Sequence, residues 1–545
     1  MLLVRRWTAA VRLAWVGSTA LALVLCLPGW PGGELRLPWV PGRADVALAL
    51  VLRADTFARF FAGTATLIAL AVALNDLAGP LAWRLVLGRQ LALALGLLAI
   101  LAGDLTLAAS ALLLLPVALG LSRRFDEESH LPALGALLLA GLALLAASAF
   151  GVAQPVGIGL LLAGLSVFLV QVPVHGLGRT LLGGPRGEGA FLLAALVLPG
   201  LALTFRFALT VVDPWRLQAV AALGAATLAV AGVRVARARE WPELLATLIS
   251  LQAGLVLVAL GQGISPTQPA AVLTGVGGAL ALAGISLLAA GVSETSGTPS
   301  LEGMSGLAHV APGMAMVLLL GWLAISALPG PGGAVVGTAI TLASAFSDGR
   351  MALVALVLVG VSGVAVAGGR LLALALAEAP ARSRLRARPL GVVSAGLVVG
   401  ASLLVGGLAF TAIDPAGRSA VDLFGMRPRP TGGELVRLPL LAVLASGAAM
   451  LASGVLGGTL GFLAERRVLT ALLRRATPSQ VEAGLMRWEA SDLETERSPA
   501  RGQRLATGGR FVLWTVAQAL AVLEGRYYMA TVLVLALWVV IIALG

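Results

Sequence analysis

No lysine occurs in the 545-residue sequence, and all 38 basic side chains are arginine. Composition drift in a GC-rich genome would favour arginine. That account makes a checkable statement: any site that needs a buried cation should carry arginine. Cysteine is limited to Cys26, which excludes an internal disulfide and a thiolate-held metal cluster. Only three histidines occur (His130, His175 and His309), scattered without metal-ligand spacing. There is no glycine-rich phosphate loop, no histidine pair on one span suited to haem, and no cysteine set for an iron–sulfur cluster. The expectation is therefore that the chain binds no cofactor or metal and has no catalytic residue of its own.

Charge is scarce as well. Charged residues make up 12% of the chain against 59% hydrophobic, with a mean hydropathy of +0.97. A water-soluble protein could not hide that much apolar surface. Apolar runs long enough to cross a hydrocarbon core of about 30 Å recur along the whole length. Lipid offers backbone groups no other partner, so the spans must be helical. No pattern of short alternating strands suggests a barrel. The net charge of +12 lies in short loops. That pattern speaks of topology and anionic lipid head groups, not nucleic acid.

The runs predict spans at 9–28, 57–77, 88–103, 105–122, 131–150, 155–172, 189–211, 216–236, 242–262, 270–292, 307–328, 332–347, 351–377, 389–411, 436–464 and 526–544. The N-terminal basic head and apolar run read as a first transmembrane helix, since no small-x-small cleavage site follows clearly. Loop arginines from Arg5 to Arg239, Arg84 and Arg89 among them, fall on one side and place the N-terminus in the cytoplasm. The run "ARSRLRARP" (381–389) falls on the opposite side. The expected organisation is an N-terminal helix and loop (1–56), a helical core (57–411), an additional span with its preceding loop (412–464), a polar amphipathic segment (465–525) and a last helix (526–545).

Polar landmarks interrupt the apolar runs. The stretch "VQVPVHGLGRTLLGGPRGEGAFLLAALVLPGLALTFRF" (170–207) carries Gln171, Pro173, His175, Gly184, Pro185, Pro199 and Arg206. A second break, "LPGPGG" (328–333), contains Pro329. Proline inside a span frees backbone groups that only protein or water can satisfy, and broken helices of this kind often line transport paths; a plain packing kink reads the same way. Asp104 suits a tight interhelical turn, and Arg206, near a span end, can snorkel to the interface. The loop "RRFDEESH" (123–130) is the only cluster that could serve an unrelated membrane enzyme, and it reads more simply as a solvated loop.

In order along 50–410, these landmarks resemble the antiporter-like membrane subunits of respiratory complex I (NADH:quinone oxidoreductase) and the Mrp-type cation/proton antiporters. That family carries Lys-x-x-Gln-x-Pro-x-His-x-Trp-Leu, then Gly-Pro-x-x-x-x-Ala-Leu-Leu, then Ala-Ala-Leu-Val-Lys-Ala-Gly ending in an Arg. Gln171, Pro173, His175, Gly184, Pro185, Ala194, Ala195, Gly200 and Arg206 match in register. Leu244, Leu245, Ala246, Gln252 and Gly254 are similar to a second family segment, "GWLAISALPGPGGAVVG" (321–337) to a third, and "GDLTLAASALLLLP" (103–116) to the opening of an earlier span.

The resemblance implies an all-α polytopic fold of about 14–16 transmembrane helices, with two inverted-repeat halves, broken helices, a C-terminal amphipathic segment and a last helix. It implies partners among other membrane subunits, membrane lipid around them, and a bacterial cytoplasmic membrane. Its proton relay uses a buried glutamate and several lysines. Here the matching positions read Leu113, Phe168, Leu198 and Thr338. Drift would have left arginine at the lysine positions, which read Phe168, Leu198 and Thr338, so the charge was removed rather than exchanged. The sequence thus points to a structural or coupling subunit with weakened or lost proton transfer. The alternative is an active transporter using Asp104, His175, Arg206 or His309.

Overall fold

The computed structural model describes residues 2–26, 33–38, 49–77, 83–122, 131–152, 154–171, 176–182, 187–207, 214–263, 267–326, 332–377, 389–412 and 440–475. Pro173, His175, Gly184, Pro185, Pro329, the 123–130 loop, residues 381–388, and the chain from 476 onward, including the expected last helix, lie outside them.

The chain is an all-α polytopic membrane protein. Among the described residues ten helices are long and apolar enough to cross a membrane, or eleven if the pair Leu301–Val310 and Pro312–Ile325, bent by 119°, is counted as one span. Four further apolar helices, Ala10–Cys26, Leu105–Leu121, Pro155–Phe168 and Gly333–Ser347, are shorter. With the four shorter helices these match fifteen of the sixteen expected spans, and the expected span 526–544 lies outside the described residues. Pro155–Phe168 has 14 residues, which reach about 21 Å at 1.5 Å per residue, less than a hydrocarbon core.

In chain order the helices are α1 (Leu2–Cys26), α2 (Thr56–Asp76), α3 (Trp83–Leu101), α4 (Leu105–Ser122), α5 (Leu131–Phe150), α6 (Pro155–Phe168), α7 (Gly176–Leu182), α8 (Glu188–Leu192) running through a π turn (Leu193–Val197) into α9 (Leu198–Phe207), α10 (Pro214–Arg237), α11 (Trp241–Gly261), α12 (Thr267–Ser296), α13 (Leu307–Val310), α14 (Pro312–Ile325), α15 (Gly333–Ser347), α16 (Met351–Ala375), α17 (Pro389–Ala412) and α18 (Leu440–Arg475). Their ends follow local chemistry. Asp55 accepts from the Ala58 N–H (2.7 Å) to open α2, and Asp104 does the same for Leu107 (2.7 Å) to open α4. Pro155 and Pro312 open α6 and α14, where a missing N–H costs nothing.

One feature escaped the sequence reading. Within 1–56, strands β1 (Glu34–Pro38) and β2 (Ala49–Arg53) pair antiparallel. The Gly103 N–H donates to Val51 O (2.6 Å), which seats this hairpin on the α3–α4 turn. A Cβ at Gly103 would stand 2.6 Å from Val51 Cγ1, so the turn needs glycine for the close approach.

Helices α11 and α12 are buried along their whole apolar windows and form the centre. The outer helices α16, α17 and α18 turn Val359, Val393, Leu404, Leu444, Leu456 and Leu460 outward, as a lipid-facing shell does. Small residues set the helix approaches, because lipid gives no hydrophobic drive between helices. A Cβ at Gly363 of α16 would overlap the Gly232 carbonyl of α10, and one at Gly369 would overlap the Gly458 carbonyl of α18. Gly363→Ala should therefore lower stability in detergent by about 1–3 kcal/mol. Gly400→Ala, where nothing lies within 4 Å, should be neutral. Thermal unfolding of the two variants checks this.

Candidate functional site

The α6 break is the first of two interruptions in the core. After Phe168 the chain closes with Val170 N–H donating to Val167 O (3.1 Å) and Gln171 N–H to Ser166 O (2.8 Å). Such a closure normally places glycine in the left-handed position. Here Val170 occupies it, at φ +53°. A β-branched residue held there costs on the order of 1–3 kcal/mol and persists only when its surroundings over-determine it. They do so here. The Ser250 hydroxyl of α11 donates to Val170 O and also to Ala246 O (3.0 Å). Gly178 of α7 leaves the room required: a Cβ there would stand 2.6 Å from Val170 Cγ1 and 2.8 Å from Ala246 Cβ.

The second interruption is the π turn ahead of Pro199. Leu198 N–H donates to Leu193 O, five residues back. Pro199 has no N–H to give, and the widened turn absorbs it. The span from Glu188 to Phe207 therefore continues through Pro199 instead of breaking. Gly96 of α3 rests against this point; a Cβ on it would lie 2.9 Å from Ala195 O and 3.2 Å from Pro199 Cγ.

Of the four positions that the resemblance matches to relay groups, Phe168 ends α6 and Leu198 follows the π turn, while Leu113 lies in α4 and Thr338 in α15. Phe168 and Leu198 are fully buried. A Cβ at Gly200 would stand 3.2 Å from Phe168 Cβ, so α9 and the α6 terminus pack tightly. Thr338 of α15 is buried and returns its hydroxyl to Ala334 O (2.7 Å). Leu113 of α4 is half-buried against Gly141, whose Cβ would lie 2.8 Å from Leu113 Cα. Two of the buried amides stand out. Gln171 and Gln252 are 1% and 4% exposed, and neither amide nitrogen nor oxygen finds a hydrogen-bond partner among the described residues. Gln252 faces α12, where a Cβ at Gly278 would lie 2.8 Å from its Oε1.

Arg206, near the end of α9, is held by groups at the ends of other helices. It pairs with Asp55 (2.8 Å), donates to Ile100 O and Ala102 O at the end of α3, and lies 5.9 Å over the Phe57 ring. Asp104 is the α4 cap described above, and His309 is exposed on α13.

Sequence reasoning missed three features. Arg370 pairs with Glu465 (2.9 Å) and donates to Ala236 O and Ala238 O at the end of α10, much as Arg206 does at the end of α3. Arg89, read as a loop charge, is buried in α3 against Asp76 (2.5 Å; both side chains 1% exposed) and lies 5.6 Å over Phe191. Glu188 is buried at the start of α8. Proximity to a span end made Arg89 look solvated. The one available signal was the pair Asp76 and Arg89 flanking a short α2–α3 connection.

No family model matches the sequence, and no curated protein matches it. Solved structures do. A chain of the Mrp complex from Dietzia sp. DQ12-45-1b aligns with TM-score 0.69 at 20% identity, over 95% of this chain and 61% of that one. A chain of the membrane-bound sulfane sulfur reductase, an archaeal respiratory membrane complex, aligns with TM-score 0.66 at 17% identity, over 93% and 95%. A chain of respiratory complex I from Thermus thermophilus aligns with TM-score 0.59 at 22% identity, over 76% and 95%.

The chain has the antiporter-like subunit fold. It spans about three-fifths of the length of the Mrp chain and nearly all of the other two. Within this fold the buried Asp76–Arg89 pair ties α2 to α3 beside Phe191. Removing one partner leaves an uncompensated buried charge, so Arg89→Leu should cost about 3–5 kcal/mol. Asp76→Leu combined with Arg89→Leu should recover most of that loss in a double-mutant unfolding cycle.

Proposed function

We propose that the chain is a membrane subunit of a complex I-like or Mrp-like ion-translocating assembly, in a bacterial cytoplasmic membrane, where it serves a structural or coupling role with weakened or lost proton transfer of its own. The observation that carries the reading is the state of the relay positions. Phe168, Leu198 and Thr338 are buried and uncharged, and Thr338 satisfies its hydroxyl on its own helix. A charge near the bilayer centre costs about 2.5–3.5 kcal/mol on insertion scales, so it is kept where it works. The backbone features that such charges would serve, the α6 break and the π turn at Pro199, are kept without them.

The fold supports the assembly half of the proposal. The similar structures are chains of multi-subunit membrane complexes, and two of them belong to respiratory assemblies. With no catalytic group assigned, electron chemistry would belong to partner subunits. Which assembly the chain joins follows from what purifies with it.

Gln171 and Gln252 favour a second reading, an active transporter using non-standard residues. Their unpartnered amides could hold water inside the bundle.

Tagged full-length chain, extracted from its native membrane in mild detergent, should purify with several other integral membrane subunits in fixed ratio. A lone monomer would contradict the proposal. In that assembly Gln171→Leu with Gln252→Leu should leave ion translocation within about twofold of the parent, a barrier change well under the 1.4 kcal/mol of a tenfold effect. Loss of translocation would favour the second reading.

A further inference from the structure

Helices α10, α16 and α18 run parallel and end on one face. Gly232 of α10 lies against Gly360 and Gly363 of α16, and further along the carbonyls of Ala236 and Ala238 accept from Arg370. Gly457, Gly461 and Glu465 of α18 meet Ser362, Val366 and Arg370 in the same order. The three C-terminal ends are therefore neighbours, joined through the Arg370 guanidinium. Helix α16 stops at this face, at Ala375, and the sequence from there to α17 carries Arg382, Arg384, Arg386 and Arg388 against one acid, Glu378. These arginines follow a helix end on the face of Arg234, Arg237 and Arg239. That corrects the expectation that put 381–389 on the opposite side.

Positive charge is in excess at this junction. Arg237, Arg239 and Arg466 are exposed. Neither the Arg237 nor the Arg239 guanidinium has a hydrogen-bond or ion-pair partner among the described residues. Two of the nearby carboxylates are already taken, Glu465 by Arg370 (2.9 Å) and Glu240 by Arg179 (2.8 Å). Glu302 follows Leu301, whose N–H donates to Arg239 O, and Glu243 lies in the first turn of α11. With the two ion pairs set aside, Arg234, Arg237, Arg239 and Arg466 still outnumber Glu243 and Glu302.

Apolar surface runs up to the same cations. Val233, 48% exposed, lies one turn before Arg237, and Leu463, 50% exposed, lies one turn before Arg466. Residues three or four apart share a helix face. A guanidinium one turn beyond an exposed apolar side chain sits where hydrocarbon gives way to head groups.

We propose that the shared end of α10, α16 and α18 is a binding surface for an anionic phospholipid, with its phosphate on Arg237 and Arg239 and its acyl chains along Val233. The arginine fork matches phosphate oxygens in pairs. An acidic soluble protein would meet the arginines only, whereas one amphiphile covers both the cations and the apolar surface below them. This goes beyond the assembly role and uses none of the relay positions.

Full-length chain in mild detergent, titrated with phosphatidylglycerol or phosphatidylcholine and read by native mass spectrometry, tests the surface. Each arginine near a membrane surface favours anionic lipid about fivefold, so phosphatidylglycerol should bind about tenfold or more tighter than phosphatidylcholine. Arg237→Gln with Arg239→Gln removes side chains that hold nothing else in the described fold, and should abolish most of that preference. Arg36→Gln with Arg53→Gln, which removes the same charge from exposed positions of the hairpin, should leave it intact. Glycerol 3-phosphate at millimolar concentration should not displace the lipid, because it has no chains. The proposal is overturned if the parent shows no preference, if Arg237→Gln with Arg239→Gln keeps it, if the hairpin pair loses it equally, or if glycerol 3-phosphate competes fully. Unchanged lipid preference together with loss of a co-purifying acidic soluble protein from the Arg237→Gln, Arg239→Gln chain would assign the face to that protein and overturn the proposal as well.

Discussion

The hydrogen bond from the Ser250 hydroxyl to the Val170 carbonyl holds the least favourable backbone in the described core. A helix that stops inside a membrane leaves carbonyls with no water to meet them. The chain answers this by closing α6 on itself, placing a valine in left-handed conformation, and taking up that valine's carbonyl from α11. The rest of the centre depends on this arrangement. Gly178 and Gly200 are small so that α7 and α9 can lie against the closed turn. Leu198 and Phe168 then fill the space where the two interruptions meet.

Charge in the interior obeys the same economy of partners. Arg206 and Arg370 each join a carboxylate to the free carbonyls at the end of another helix. Arg89 is enclosed with Asp76. These charges hold helices to one another, and each is fixed in place by its partner. Movable charge, of the kind a relay requires, is missing from Phe168, Leu198 and Thr338. Drift from lysine to arginine cannot produce phenylalanine, leucine and threonine at those positions. Under the proposed structural or coupling role, apolar or self-satisfied residues at those positions are what the cost of buried charge favours.

The helices were legible because apolar runs bounded by charge or proline mark spans directly. Helices α4 and α5 occupy 105–122 and 131–150, as the runs indicate. The α6 break was legible as a place, from Gln171 and its neighbours, but not as a conformation. Nothing in "FLVQ" announces a left-handed valine, since its partner Ser250 is 80 residues away. The β hairpin escaped because two five-residue strands between apolar helices resemble loop. Arg89 was misjudged for one reason. A charge near a span end looks solvated until the neighbouring helix is placed over it, and periodicity within one helix holds no information about that neighbour.

The central claim is that an antiporter-like scaffold persists here after its proton relay has been removed. Ion flux through the purified full chain in proteoliposomes tests it most directly, using an imposed pH or sodium gradient and an entrapped fluorescent reporter. The account predicts a gradient decay no faster than in protein-free liposomes, in either direction of the gradient. Saturable proton or sodium flux through the chain alone would contradict it.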